Sequence, residues 1–422
     1  MDVAHANAAR GGLEEWGLDV DMRNQGQAMK LRAGSKALIR EINVALVLDV
    51  VRAQEPVARA VIAAATGLSP ATVTGITHQL LQSGLLTETT EADVRRGTGG
   101  RPARLLRLGR NAVFAAGVRL AASEAVVVLV DLGGDVVDTH RETLDSTDPA
   151  RATAAIARGV VKVAASRPMA ELLGVGVAVT GIVDHSGVVR HSGSLGWEDV
   201  PLRQLLRAGL DAPVVISSYV DSLASGELLF DARLEARDVI VFSVGASLGA
   251  SVVVQGRIHR GFDGAAGGFA HWRASSASGD RRPCHCGAVD CIETWSSGWG
   301  IEREFERLGM TAATAPAEVR HDVYAAAADR LGVAMANACK MFGPERVLVT
   351  FTSEADREML AEHTERVFAE EFAHEIAPAP AFDLTSAEDA AIGRGVACVV
   401  LGQMFRADLS LDSAFEPRQA AR

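Results

Sequence analysis

A chain of 422 residues with 48% hydrophobic residues exceeds what one core usually accommodates, so two or three globular units are expected. Nothing at the N-terminus resembles a basic region, apolar run and cleavage site, and no apolar stretch approaches the roughly 20 residues that span a bilayer; a cytoplasmic location away from membranes is expected. The net charge of −11 excludes a general nucleic-acid-coating protein, yet residues 1–110 carry 14 Lys and Arg against 11 Asp and Glu, so any DNA contact belongs to this N-terminal part.

Residues 1–35 mix Gly, Ala, Asn and acidic residues without periodicity and read as a mobile tail. From Lys36 to Arg52, Leu38, Ile42, Ala45, Leu46 and Val50 recur at helical spacing. A shorter helix is expected over Arg59–Ala65, then a tight turn at Thr66-Gly67-Leu68. Ser69-Pro70 supplies an N-cap and a proline at the first helical position, starting a third helix that runs to about Gln82. Leu85–Glu88 and Ala103–Leu108 read as two short strands around a polar loop, Glu91–Pro102. Residues 36–110 thus have the grammar of a winged helix-turn-helix.

Beyond Asn111 the pattern changes to β-branched strands at Phe114–Leu120, Ala125–Leu132 and Val136–Leu144, a helix at Ala150–Ala165 and a strand at Leu173–Thr180. Strands at Asp238–Val244 and Ala250–Gln255 and helices at His321–Phe342 and Glu354–His374 form a second, similar half. The expected fold is α/β, with two related lobes and a cleft between them.

In the third helix Val73, Ile76 and Leu80 share a face that packs inward, while Ala71, Thr72, Thr74, Gly75 and His78 face outward with Ser69 at the cap. Small side chains permit close approach to a major groove, and Thr hydroxyls bond to phosphates or base edges. In the loop, Arg95, Arg96, Arg101 and Arg104 surround three glycines, and Arg101, between Gly100 and Pro102, suits insertion into a minor groove. These features point to double-stranded DNA; the alternative is a small protein-interaction module.

Five cysteines is an odd number. Cys339 and Cys398 sit in apolar helical contexts and read as core. Cys284, Cys286 and Cys291 crowd together in Cys-x-Cys-Gly-x-x-x-Cys spacing, which suits a metal better than a disulfide framework, with His271 or His285 as the fourth ligand.

The segment Arg59-Ala60-Val61-Ile62-Ala63-Ala64-Ala65-Thr66-Gly67-Leu68-Ser69, with Gly99-Gly100-Arg101-Pro102-Ala103, closely resembles the winged-helix half of ROK-family regulators, a family of repressors, uncharacterised frames and sugar kinases. Downstream, Gly268–His271, Cys284-His285-Cys286-Gly287, Cys291-Ile292-Glu293 and Ala390-Ala391-Ile392-Gly393 resemble that family's zinc segment and C-terminal helix. The resemblance implies a two-lobed, actin-like (ribonuclease-H-like) ATPase fold over 111–405, with lobe 1 about 111–235 plus 388–405, lobe 2 about 236–387, and a tail at 406–422. It also implies His271 as the fourth ligand of a structural Zn2+, with Cys284, Cys286 and Cys291.

The resemblance further implies that kinase chemistry is lost and that the chain is not an enzyme. Where family kinases carry an Asp-x-Gly-x-Thr phosphate loop, this chain reads Arg119-Leu120-Ala121-Ala122-Ser123, a cation where Mg2+ needs a carboxylate. The second phosphate loop is Gly245-Ala246-Ser247-Leu248-Gly249, the sugar-activating Asn-Asp pair is Ser218-Tyr219, with Asp221 two residues on, and the sugar-binding Glu is Gly268. The adenine-side glycine run reads Thr350-Phe351-Thr352-Ser353.

Residual contacts to a sugar or sugar-phosphate effector fall to Ser194, Glu293 and His271. Arg119 either recognises an anionic ligand or, more simply, is exposed or pairs with Asp131 or Asp135. The expected protein is a homodimeric or homotetrameric regulator on a palindromic operator, a repressor of carbohydrate-related or secondary metabolic genes. The alternatives are an active ATP-dependent sugar kinase with a DNA-binding appendage and a zinc-stabilised DNA-binding scaffold without an effector.

Overall fold

The computed structural model describes residues 36–90, 104–230, 237–274, 281–373 and 378–406. The N-terminal tail, the loop carrying Arg95, Arg96 and Arg101, and residues 407–422 of the C-terminal tail lie outside them.

The first unit opens with α1 (Lys36–Gln54) and a two-residue strand, β1 (Val57–Ala58), that the sequence pattern does not announce. Then comes α2 (Arg59–Thr66), which ends on Gly67 at φ 69°, a left-handed position natural to glycine; its N–H donates to the Ala63 carbonyl. α3 (Pro70–Gln82) starts where expected, and the Ser69 hydroxyl accepts the Thr72 N–H at 3.1 Å. β2 (Leu86–Thr90) and β3 (Arg104–Leu108) pair antiparallel, with β1 on the far side of β3. Val47, Leu48, Ile62, Val73, Leu80 and Leu106 are fully enclosed and form the core that holds the three helices to this small sheet.

The first lobe contains β4 (Val113–Leu120), β5 (Glu124–Asp131), β6 (Val136–Thr143), α4 (Pro149–Ala164) and β7 (Glu171–Val179). A small sheet, β8 (Ile182–Val183), β9 (Val189–Ser192) and β10 (Trp197–Val200), precedes α5 (Leu202–Arg207), β11 (Val214–Ser218) and α6 (Tyr219–Phe230). The second lobe has β12 (Val239–Val244), β13 (Leu248–Val254), β14 (Arg257–His259), α7 (Glu293–Ser296), α8 (Gly298–Arg307) and α9 (Ala317–Phe342). It ends with β15 (Arg346–Phe351), α10 (Glu354–Glu370) and β16 (Ala381–Ser386) before α11 (Asp389–Leu401).

The main sheets run β11-β7-β4-β5-β6 and β14-β13-β12-β15-β16. In each, the first three strands in chain order form an antiparallel meander and the last two add in parallel. The expected duplication is therefore present, and β11, β14, β15 and β16 complete the two copies beyond what the pattern predicts. The helix expected over Glu354–His374 ends at Glu370 among the described residues. No single helix among them is long and apolar enough to cross a membrane.

α11 follows the second lobe in sequence but lies on the sheet of the first. It approaches because Gly117 on β4 has no side chain: a Cβ there would stand 1.9 Å from the Gly393 carbonyl oxygen. The C-terminal end of α11, with Leu401, Met404 and Phe405, joins one apolar cluster with Val47, Leu48 and Val51 of α1 and Val113, Val128 and Val130 of the first sheet. Polar contacts fix the same seam. Arg52 donates to the Leu229 carbonyl and lies 5.6 Å from the Phe405 ring centre. Glu55 accepts the Leu108 N–H at 2.6 Å and pairs with Arg110, which also pairs with Asp131 and Asp135. Gly117→Ala forces α11 off the sheet and is expected to remove on the order of 1–3 kcal/mol of stability. Urea denaturation followed by circular dichroism measures this, and an unchanged midpoint contradicts the close approach.

Candidate metal centre and nucleic-acid interface

The cysteine hairpin is built by backbone geometry before any metal is considered. Pro283 bridges Val289, Arg273 bridges Cys291, and the Cys284 N–H donates to the Ala288 carbonyl at 2.9 Å. Gly287, at φ 85°, turns the chain between Cys286 and Cys291. The ligand atoms of His271, Cys284, Cys286 and Cys291 all lie within 4.8 Å of one another. Cys284 Sγ is 3.7 Å from His271 Nδ1, and Cys286 Sγ is 3.7 Å from Cys291 Sγ. A sulfur–sulfur distance near 3.7 Å is far beyond a disulfide bond and close to the edge of a tetrahedron with metal–sulfur bonds of about 2.3 Å. Burial and the neighbouring His285 hold His271 below the ordinary histidine range, so its imidazole is neutral at neutral pH, the form that ligates metals.

His285, the other fourth-ligand option, points elsewhere. Its ring packs edge-on against His271 and Trp299, with centroids at 5.5 and 5.2 Å, and faces Gly193 of the first lobe. The hairpin is also braced from behind. Arg282 lies 3.4 Å from the Trp295 ring centre, Arg330 lies 3.9 Å from it, and Arg282 pairs with Glu304 at 2.8 Å. Sequence reasoning did not find this stack, because Arg330 sits on α9, 35 residues after Trp295, and no local spacing links them.

Along α3, Val73, Ile76, Thr77 and Leu80 are buried, and Ala71, Thr72, Thr74, Gly75 and His78 are exposed together with Ser69. All three hydroxyls already have local partners: Ser69 caps the helix and shares a 2.8 Å hydrogen bond with the Thr72 hydroxyl, and Thr74 donates to the Pro70 carbonyl at 2.7 Å. The buried Thr77 hydroxyl accepts from Arg59, which pairs with Glu88 on β2 at 2.7 Å; Glu88 also holds Arg104 at 2.9 Å. Arg59 and Arg104 therefore tie α2, α3 and the base of the wing together, and Arg59 draws the Glu88 carboxyl below its ordinary range.

Each of the four residues expected to contact an effector has partners within the fold. Ser194 is exposed beside Gly193, and its hydroxyl is bonded to that of Thr180. Glu293 is buried, its carboxylate accepts the Leu248 N–H at 2.8 Å, and burial pushes it up to about 7. His271 belongs to the Cys3His set. Arg119 pairs with Glu124 at 3.3 Å and Asp389 at 3.1 Å and lies over the Tyr219 ring. The expected partners Asp131 and Asp135 go to Arg110 instead. Strand register explains the correction: Asp131 faces Phe114 at one end of β4, while Arg119 faces Val126 near the other.

Tyr219 donates its hydroxyl to the Leu120 carbonyl, and burial pushes it above the ordinary tyrosine range. Asp221 accepts the Ser251 hydroxyl at 2.6 Å, across the two lobes, and burial raises it.

A winged three-helix unit seated on a duplicated α/β body with a Cys3His cluster defines the class. The ROK family model matches residues 115–402, and the chain belongs to the ROK family. It is 28% identical to the DNA-binding transcriptional dual regulator NagC of Escherichia coli K12 over 357 residues, 79% of this chain and 86% of that protein. It is 25% identical to the xylose repressor of Caldicellulosiruptor bescii over 343 residues, 75% of this chain and 84% of the repressor. Among solved structures, a ROK family transcriptional regulator homologous to the E. coli MLC protein aligns with TM-score 0.70 and 21% identity, over 87% of this chain and 98% of that one. A ROK family glucokinase from Streptomyces griseus aligns with TM-score 0.59 and 21% identity, over 68% of this chain and 98% of its own.

Purified protein is expected to carry about one metal ion per chain at the Cys3His set, and Cys286→Ser to lose it. Elemental mass spectrometry measures the content, and equal metal in both proteins rules the site out.

Proposed function

We propose that the chain is a sequence-specific DNA-binding transcriptional regulator, a repressor of carbohydrate-related genes, acting in the cytoplasm as a homodimer or homotetramer. The observation that carries this reading is the exposed face of α3, made of small and hydroxyl side chains and held at a fixed angle to the wing strands by the Arg59–Glu88–Arg104 clamp. Ser69, Ala71, Thr72, Thr74, Gly75 and His78 meet a major groove, with Arg95, Arg96 and Arg101 on the wing. The regulator names borne by its relatives support the same reading.

The metal is Zn2+, structural because four protein ligands leave no open position. It fixes the wall of a cleft in which a sugar or sugar phosphate binds beside Ser194, with His271 and Glu293 shaping the wall and Arg119 acting through its ion pairs. Phosphoryl transfer is disfavoured: Arg119 brings a cation to the phosphate loop, and Tyr219 holds its proton.

A random duplex pool passed over the purified protein is expected to yield a palindromic site, and an ADP-release assay with common hexoses to stay at background. Turnover of ATP without any enriched site sinks the proposal. A Cβ on Gly75 meets no atom within 4 Å, so Gly75→Ala is expected to stabilise the fold by up to about 1 kcal/mol while weakening operator binding by roughly tenfold. Arg101→Ala is expected to weaken binding by on the order of 1–3 kcal/mol. Fluorescence anisotropy and thermal melts separate the two effects, and unchanged affinity in both variants argues against this docking face.

A further inference from the structure

α11 is held at both ends. Its first residue, Asp389, lies 3.1 Å from Arg119 Nε and 3.5 Å from Arg141, and both arginines also share Glu124, at 3.3 and 3.1 Å. These charges sit where β4 ends, beside Tyr219 just beyond the end of β11. In open parallel sheets, the carboxyl edge of the strands is where ligands enter.

At the other end, Leu401, Met404 and Phe405 share the apolar cluster with α1 of the winged helix, and Arg52 of α1 reaches Phe405 and the Leu229 carbonyl. Between the ends, Gly393 rests on the backbone of β4, and Arg394 donates to the Gly134 carbonyl at 2.6 Å. From Asp389 to Leu401 a helical rise of about 1.5 Å per residue covers roughly 18 Å, and a 3-10 turn at Gly402–Met404 leads on to Phe405. α11 is thus a close-packed rod between the cleft edge and the base of the DNA-reading unit.

The cleft end is the less firmly made of the two. Arg119 Nε is buried and, although near Asp389, has no aligned hydrogen-bond acceptor, so the contact is ionic without a directed bond. Packed interfaces move between discrete arrangements rather than bending continuously, so a change at this pair reaches the far end as a shift of the rod.

We propose that Arg119 and Asp389 are positioning residues for DNA recognition: their ion pair fixes the amino end of α11 at the cleft and thereby sets the seat of the winged helix at its other end. The proposal rests on the regulator reading and names the route by which the cleft governs it. A cleft occupant regulates through this route by binding differently to the paired and unpaired arrangements.

The test uses full-length protein and the duplex enriched by the wild type, with Arg119→Met, Asp389→Asn and the double variant. Metal content and circular dichroism establish that each variant is folded, and Arg119→Gln replaces Arg119→Met if the latter is not. Each single change is expected to lower DNA affinity by about fivefold or more and to speed hydrogen exchange of the α1 amides around Val47–Val51, far from either substitution. The double variant is expected to lose no more than the worse single, because the two residues act through one contact. Affinities within about twofold of wild type, or losses that multiply in the double variant, overturn the proposal. A wild type that enriches no duplex removes the regulator reading instead.

Discussion

The arrangement depends on a shared apolar seam. Val47, Leu48 and Val51 face Leu401, Met404 and Phe405 of the α11 end and the first-lobe sheet, so the core of the DNA-reading unit and the core of the first lobe are continuous. Fully burying each such side chain contributes roughly 1.5–3 kcal/mol before ordering costs, and several together outweigh a flexible linkage. A hinge between the two units would have to expose this surface. The winged helix therefore moves with the first lobe, and whatever reorients it acts through the elements that share the seam.

The second lobe has a different source of rigidity. Among the described residues between His271 and Glu293 there is little regular structure; the hairpin there is held by two isolated bridges, brings the Cys3His set together and is backed by Trp295 with Arg282 and Arg330 over its ring. Stacking desolvated guanidinium groups on an indole suits arginine, whose plane lies flat on the ring and whose charge Glu304 offsets. A segment held on both sides keeps its place, and His285 sets it against Gly193 of the first lobe.

What was legible in the sequence was local. Ser69-Pro70 marked the start of α3 because cap and first-turn chemistry are decided within four residues, and Gly67 marked the end of α2 because few other residues adopt its backbone angles. The three cysteines announced their cluster by spacing, but spacing alone left His271 and His285 open, since the choice depends on where the Gly268–His271 turn is folded back. Arg119 shows the opposite case. Its partners were expected among nearby acids, yet Glu124 reaches it through strand pairing and Asp389 from 270 residues further along the chain. Strand register and the return of α11 decide such pairs, and neither is written in a local pattern.

The same pair bears on what this edge of the ROK fold holds. A phosphoryl-transfer cleft must hold charge unsatisfied: a carboxylate waiting for metal, donors waiting for phosphate, a base free to take a proton. At the corresponding edge here Arg119 meets Glu124 and Asp389, Tyr219 donates to a backbone carbonyl and Asp221 is occupied by Ser251. Groups that pair with one another lower the cost of leaving this edge without a ligand. α11 begins at that edge and the chain at its end shares one apolar cluster with α1, so a single packed element joins the two places.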